Sequence, residues 1–190
     1  ALSGSITAEG NRMAQLPCHP RIAKMIISSG SPSIQALACD IAALLEEKDP
    51  LGGNEDSDMT LRLSLLRSAR SKKNLGRLNR IAQIAQEYRK MLRIKEDNEP
   101  IDAEEVGHLI ALAYPERIAH ATDHAGNYKM SNGNMVFIDT SDSMAANEWL
   151  AIASLNLAST SSSKTALGRK GRVFLSAPVN WKNLPAQTCE

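Results

Sequence analysis

Through the first 113 residues apolar positions recur at steps of three and four; after Pro115 they alternate by two. The first period belongs to helices with one buried face, the second to half-buried strands. Thr7 can cap a short helix through Leu16, which Pro17 stops. Ile22, Met25 and Ile26 mark a helix over residues 20–29, closed by Gly30. Ser31-Pro32 places a cap before a proline at the first helical position. The helix it opens holds Ile34, Leu37, Ala38, Ile41, Ala42, Leu44 and Leu45, nearly apolar all round in its second half, which predicts burial in a bundle. Pro50 and Gly52-Gly53 end it. Asp58 can cap a helix carrying Met59, Leu61, Leu63, Leu65 and Leu66. Residues 75–93 form the clearest amphipathic helix, with Leu75, Leu78, Ile81, Ile84, Ala85, Tyr88, Met91 and Leu92 on one face. Asp102 with Glu105 makes a capping-box pattern that opens a last helix, stopped by Pro115.

Beyond Pro115 short alternating runs predict five strands, over residues 117–122, 128–131, 134–138, 149–157 and 172–177. Asn132-Gly133 predicts a two-residue hairpin tip between the second and third. The fold class is therefore α+β, an N-terminal helical bundle followed by a small five-stranded barrel. A Ser/Thr-rich loop over residues 159–165 reads as flexible and solvated.

Composition adds bounds. The 190 residues are 43% apolar and 23% charged, which suits one ordinary domain or two small ones in solution. No apolar run approaches the roughly 20 residues of a membrane span, and no signal peptide opens the chain. The absence of an initial Met suggests a piece of something larger. Three cysteines, Cys18, Cys39 and Cys189, with no CxxC pair, argue against a disulfide framework or zinc ribbon and for a reducing cytoplasm.

The net charge of +1 conceals segregation. Residues 40–58 hold seven acids and one base, residues 67–95 ten bases and one acid, and residues 96–105 six acids and no base. Such blocks are either solvated faces or a strip that binds a polyanion. Of seven aromatics only Tyr88 precedes residue 113, so the helical half has almost no surface on which bases could stack. Most of the others read as barrel core, with one or two available as exposed platforms.

Catalytic motifs are missing. There is no GxxxxGK[ST] phosphate loop and no GxGxxG after a strand, and Ser29-Gly30-Ser31 lies between helices and cannot be a nucleophile elbow. His120 and His124 have zinc-like spacing, but in a strand-like context without a third ligand, so no metal site is expected. Cys18-His19, clamped between Pro17 and Pro20, reads as structural, and His108 as a partly buried helix residue.

Residues 10–25, GNRMAQLPCHPRIAKM, resemble the G-x-x-M-x-x-L-P-x-H-P-R-x-A-x-M signature of DEAH-box RNA helicases. His19 where other branches carry Asp points to the bacterial HrpB-type branch. Further matches follow in order: ALACDIAALL at 36–45, Asp49-Pro50, Leu61-Arg62-Leu63, VGHLIALAYPERIA at 106–119, Asn132-Gly133, Trp149-Leu150 and RVFLSAP at 172–178. The stretch 159–165 departs from the pattern as a longer insertion.

This resemblance implies that residues 1–18 end a winged helix, 19–113 form the helicase-associated ratchet-like domain and 114–190 an OB-like barrel. It places ATP, magnesium and the catalytic residues in two RecA-like motor domains of the same polypeptide, and no cofactor or catalytic residue in this chain. The family threads single-stranded RNA through a channel closed by bundle and barrel. Charge, rather than matched family positions, nominates Arg67, Arg70, Lys72, Lys73, Arg77 and Arg80 in the bundle, and Lys129, Lys164, Arg169, Lys170 and Arg172 in the barrel, as phosphate contacts. The alternative is a module that docks a protein activator or ribosomal partner.

Overall fold

The computed structural model describes residues 6–52, 56–123, 125–156 and 170–184. Among them lie six α-helices: α1 Ala8–Ala14, α2 Pro20–Ser28, α3 Pro32–Glu46, α4 Met59–Ser71, α5 Asn79–Leu92 and α6 Ala103–Ala113. Five strands follow: β1 Ile118–Ala121, β2 Asn127–Met130, β3 Met135–Phe137, β4 Trp149–Asn156 and β5 Gly171–Pro178. They close a barrel in the order β1-β2-β3-β5-β4, antiparallel except where β3 meets β5. This is the Greek-key arrangement of a small OB-like barrel.

Side-chain caps start the helices where the sequence places them. Thr7 Oγ1 accepts from the Gly10 N–H at 3.0 Å, Ser31 Oγ from Ile34 at 3.3 Å, and Asp58 Oδ1 from Thr60 at 2.7 Å. His19 caps α2 through Nδ1, which accepts from the Arg21 N–H at 3.2 Å. The residue reads as structural in sequence, and this is its role. An acceptor two residues ahead is also what an aspartate would supply at that position. Asp102 caps α6 by accepting from Glu104 at 3.0 Å, so its bond goes to the second helical residue and not to the third, as a capping box would require.

Two local expectations need correction. The helix expected over 75–93 begins as a 3-10 turn, Gly76–Leu78, because Gly76 sits at φ 45°, and α5 starts only at Asn79. The hairpin tip is a three-residue loop. Met130 N–H pairs with Asn134 O at 2.9 Å, Gly133 N–H returns to Met130 O at 2.8 Å, and Gly133 is left-handed at φ 86° while Asn132 is not. That is the geometry of a turn followed by a glycine bulge, not of a two-residue turn with both central residues left-handed.

One core runs through both halves. Ile22, Met25, Ile41, Leu63, Leu66, Ile84, Leu109 and Ile110 pack with Ile118, Ala151, Leu175 and Ala177 from the barrel wall. A second cluster, with Tyr128, Met130, Val136, Leu150, Ile152 and Val173, fills the barrel. Strand alternation separates them: along β4, Leu150 and Ile152 point into the barrel, whereas Ala151 and Ala153 face the helices. The Tyr128 hydroxyl lies 2.7 Å from Asn147 O and ties down the loop before β4.

Candidate nucleic-acid interface

The basic block divides into an internal and an external part. Asp40, in the apolar helix α3, is 1% exposed. Arg70 donates to both its oxygens at 2.9 and 2.5 Å, and Arg89 to Oδ1 at 2.7 Å. Arg67 Nε lies 4.0 Å away, while its guanidinium also donates to Glu99 O. Glu96 accepts from Arg89 at 3.3 Å and lies 3.8 Å from Arg70. Burial lowers the Arg67 pKa, which its neighbouring carboxylates only partly offset. Arg67 and Arg70 are therefore structural ties that join α3, α4, α5 and the acidic segment after α5, and they present no charge to solvent. Arg62, singled out only within a sequence match, is likewise buried. It grips Asp49 at 2.9 and 3.2 Å and the Asp58 carbonyl at 3.0 Å, pinning the loop between α3 and α4.

Lys72, Lys73 and Arg77 are exposed on the connector from α4 to α5, and Arg80 is exposed in the first turn of α5. Helix α4 ends in a Schellman motif, with Lys73 N–H to Arg70 O at 2.9 Å and Asn74 N–H to Ala69 O at 3.0 Å. Lys73 takes the left-handed position at φ 53°, which glycine usually fills. Arg80 lies 3.4 Å from Glu47 in an exposed pair. Among the described residues Lys72, Lys73 and Arg77 form no ion pair.

On the barrel Lys129, Lys170 and Arg172 are exposed. Lys170 Nζ donates to Asn127 Oδ1 at 2.7 Å, and the Arg172 guanidinium lies 5.7 Å from the Phe174 ring centre. Lys164 and Arg169, and the loop over 159–165, lie outside the described residues. Strand register gathers what sequence does not. Trp149, His120, Lys129 and Met135 stand opposite one another across β4, β1, β2 and β3. Asn127, Phe137 and Arg172 form a parallel row across β2, β3 and β5. His120 and Trp149 rings lie 4.3 Å apart, and Trp149 and Trp181 rings 6.0 Å. These three rings border a groove of about 710 Å³ whose other lining includes Ile118, Lys129, Met130 and Leu184. Sequence shows Trp149 as a strand residue and Trp181 as one aromatic among several; only the register brings them beside His120.

Ser29 Oγ donates to Ile26 O at 2.8 Å and is buried. Burial raises the Cys18 thiol to about 11 and the Cys39 thiol to about 12, both far from a reactive thiolate. His124 lies outside the described residues, and among those described no group of three His, Cys, Asp or Glu side chains is placed to hold a metal. No described helix is long and apolar enough to cross a membrane.

The ATP-dependent RNA helicase HrpB of Escherichia coli is 32% identical to this chain over an alignment of 154 residues that covers 79% of the chain. The chain belongs to the HrpB-type DEAH-box helicases. It spans 17% of the length of that HrpB and corresponds to a C-terminal region of such a helicase. Two crystal structures of E. coli HrpB superpose with TM-scores of 0.71 and 0.72, at 28% and 26% identity. They cover 96% and 94% of this chain and 20% of each HrpB chain, so bundle and barrel are both shared. No family model matches the sequence. In the HrpB-type frame the conspicuous motifs prove to be joints. His19 caps α2, Asp40 gathers the arginines, and in the segment 106–119 Arg117 stacks 4.3 Å from the Tyr114 ring while donating to Ala153 O at 3.1 Å.

Proposed function

We propose that this region forms one wall of a single-stranded RNA path in an ATP-dependent cytoplasmic helicase and couples that path to RecA-like motor domains of the same polypeptide. ATP and magnesium belong to those domains in this reading, because the 190 residues contain no GxxxxGK[ST] phosphate loop to cradle a nucleotide. Residues 6–18 then belong to the end of a winged helix ahead of the bundle, residues 1–5 lying outside the described residues.

The observation that carries the reading is the cationic connector. Arg67, Arg70 and Arg89 are consumed inside the bundle, yet Lys72, Lys73 and Arg77 stay exposed on the segment between α4 and α5, and Arg80 stays exposed in the first turn of α5. Such side chains contact phosphates without reading sequence. Neutralising three or four phosphates gives a slope of log affinity against log salt between about −2 and −3, at about −0.7 per phosphate for a single strand. Changing Lys72, Lys73, Arg77 and Arg80 together to Ala is expected to weaken RNA binding and flatten that slope, with helical circular dichroism unchanged. Unaltered affinity would move the function to the second reading, a protein-docking module, for which exposed Leu61 and Leu65 on α4 offer an apolar stripe.

A further inference from the structure

We infer that the outer face of the barrel carries a base-stacking subsite, in which Trp181, Trp149 and His120 hold an unpaired nucleobase and Lys129 holds an adjacent phosphate. The subsite rests on the single-stranded RNA reading above. It adds base contact to what was a backbone-only interface.

The residues converge through strand register and not through sequence proximity. Trp149, His120 and Lys129 are direct cross-strand partners on three neighbouring strands. Adjacent strands lie about 4.8 Å apart, so the row steps from aromatic to aromatic to cation one strand at a time. Trp181 is 46% exposed and completes a tier with Trp149, with ring centres 6.0 Å apart. The groove they border, about 710 Å³, is lined by apolar and aromatic groups together with His120, Thr122, Lys129 and Ser131, and, among the described residues, by no carboxylate. Glu148, an exposed carboxylate 3.4 Å from His120, sits at the Trp149 end of the row, and Lys129 is the cation at the other side of His120. Lys129 has no ion-pair partner among the described residues. Trp149 Nε1 is buried and has no acceptor among the described residues.

An extended proline-rich peptide is the other ligand that aromatic grooves accept. Two features favour the base. A cation follows the aromatics within the row, and Phe137 and Arg172 repeat the aromatic-cation pairing on the next row. Aromatic platforms alternating with positive charge are how proteins hold single strands without sequence preference.

The test uses the 190-residue chain, whose only two tryptophans are Trp149 and Trp181. Three probes are titrated while tryptophan fluorescence is read: an oligouridine of about ten nucleotides, an abasic oligomer of equal length, and a proline-rich peptide. Oligouridine is expected to quench the signal and to bind about 5- to 30-fold more tightly than the abasic strand. Trp181→Ala should lose that advantage and bind the abasic strand as the parent does, with the salt slope unchanged. Trp181→Phe should retain most of it, which excludes a folding defect as the cause. Lys129→Ala should instead flatten the slope by about 0.7. Equal affinity for oligouridine and abasic strand, or Trp181→Ala binding oligouridine like the parent, overturns the subsite while leaving the cationic connector standing. Normal binding by the connector variant overturns the connector and leaves the subsite. Quenching by the peptide with none by oligouridine overturns the subsite in favour of a peptide groove.

Discussion

At the scale of single residues, Asp40 determines how the basic block must be understood. A run of ten bases against one acid looks like a surface strip when charge is counted along the chain. The opposing clue sits 27 residues before Arg67, where Asp40 interrupts the nearly apolar second half of a helix. A carboxylate buried there must be paired, and Arg67 and Arg70, three apart on α4, and Arg89 on α5 supply the partners. Asp40→Ala would leave these guanidiniums buried without their anion, and we expect it to cost about 3–5 kcal/mol of stability in urea unfolding. Arg70→Ala should act in the same direction, on stability and not on the salt dependence of RNA binding. The four connector cations behave oppositely, because water already solvates them.

At the scale of elements, the helices and strands were legible because each has its own punctuation. Pro17, Pro32, Pro50 and Pro115 divide the helices, and alternation fixes all five strands to within a residue or two. What remained hidden were features set by tertiary contact or by one left-handed residue. Asn132-Gly133 marks the hairpin, yet the pairing of Met130 with Asn134 lengthens its tip to three residues. Gly107 gave no signal at all; in a helix interior it reads as a mild defect. Its reason is the approach of α6 to β5: a Cβ at Gly107 would stand 1.9 Å from the Pro178 carbonyl oxygen. Helix propensity alone predicts that Gly107→Ala gains about 1 kcal/mol. The contact predicts the reverse, a loss of about 1–3 kcal/mol or more as helix and strand are forced apart. Chemical denaturation of the variant reads the sign directly.

At the scale of the whole molecule, bundle and barrel behave as one body because core and polar joints both cross the change from helix to strand. Ser176 N–H donates to Ser57 O at 2.8 Å, and Ser57 N–H donates to Asp142 Oδ2 at 2.8 Å. Asp56, just ahead of α4, accepts from the N–H and the hydroxyl of Ser143, both at 2.9 Å. Burial pushes the Asp56 carboxyl up, but those two bonds and the Asp58 N–H outweigh it and hold the carboxyl below its ordinary 3.8. Asp97 is held low in the same way, chiefly by the Ser33 hydroxyl. A folded pKa below the unfolded one means that the unfolded chain takes up the proton more readily. Stability from these groups is therefore complete above about 3.8 and is lost as pH falls through the folded values. The thermal midpoint should fall as pH drops below about 4, and Asp56→Asn should start lower at neutral pH and fall less steeply. Because the joint and the core are shared, helical circular dichroism and the fluorescence of barrel residues Trp149 and Trp181 should report one common midpoint at each pH. Separate transitions for the two probes would show that the Asp56–Ser143 joint does not bind bundle to barrel.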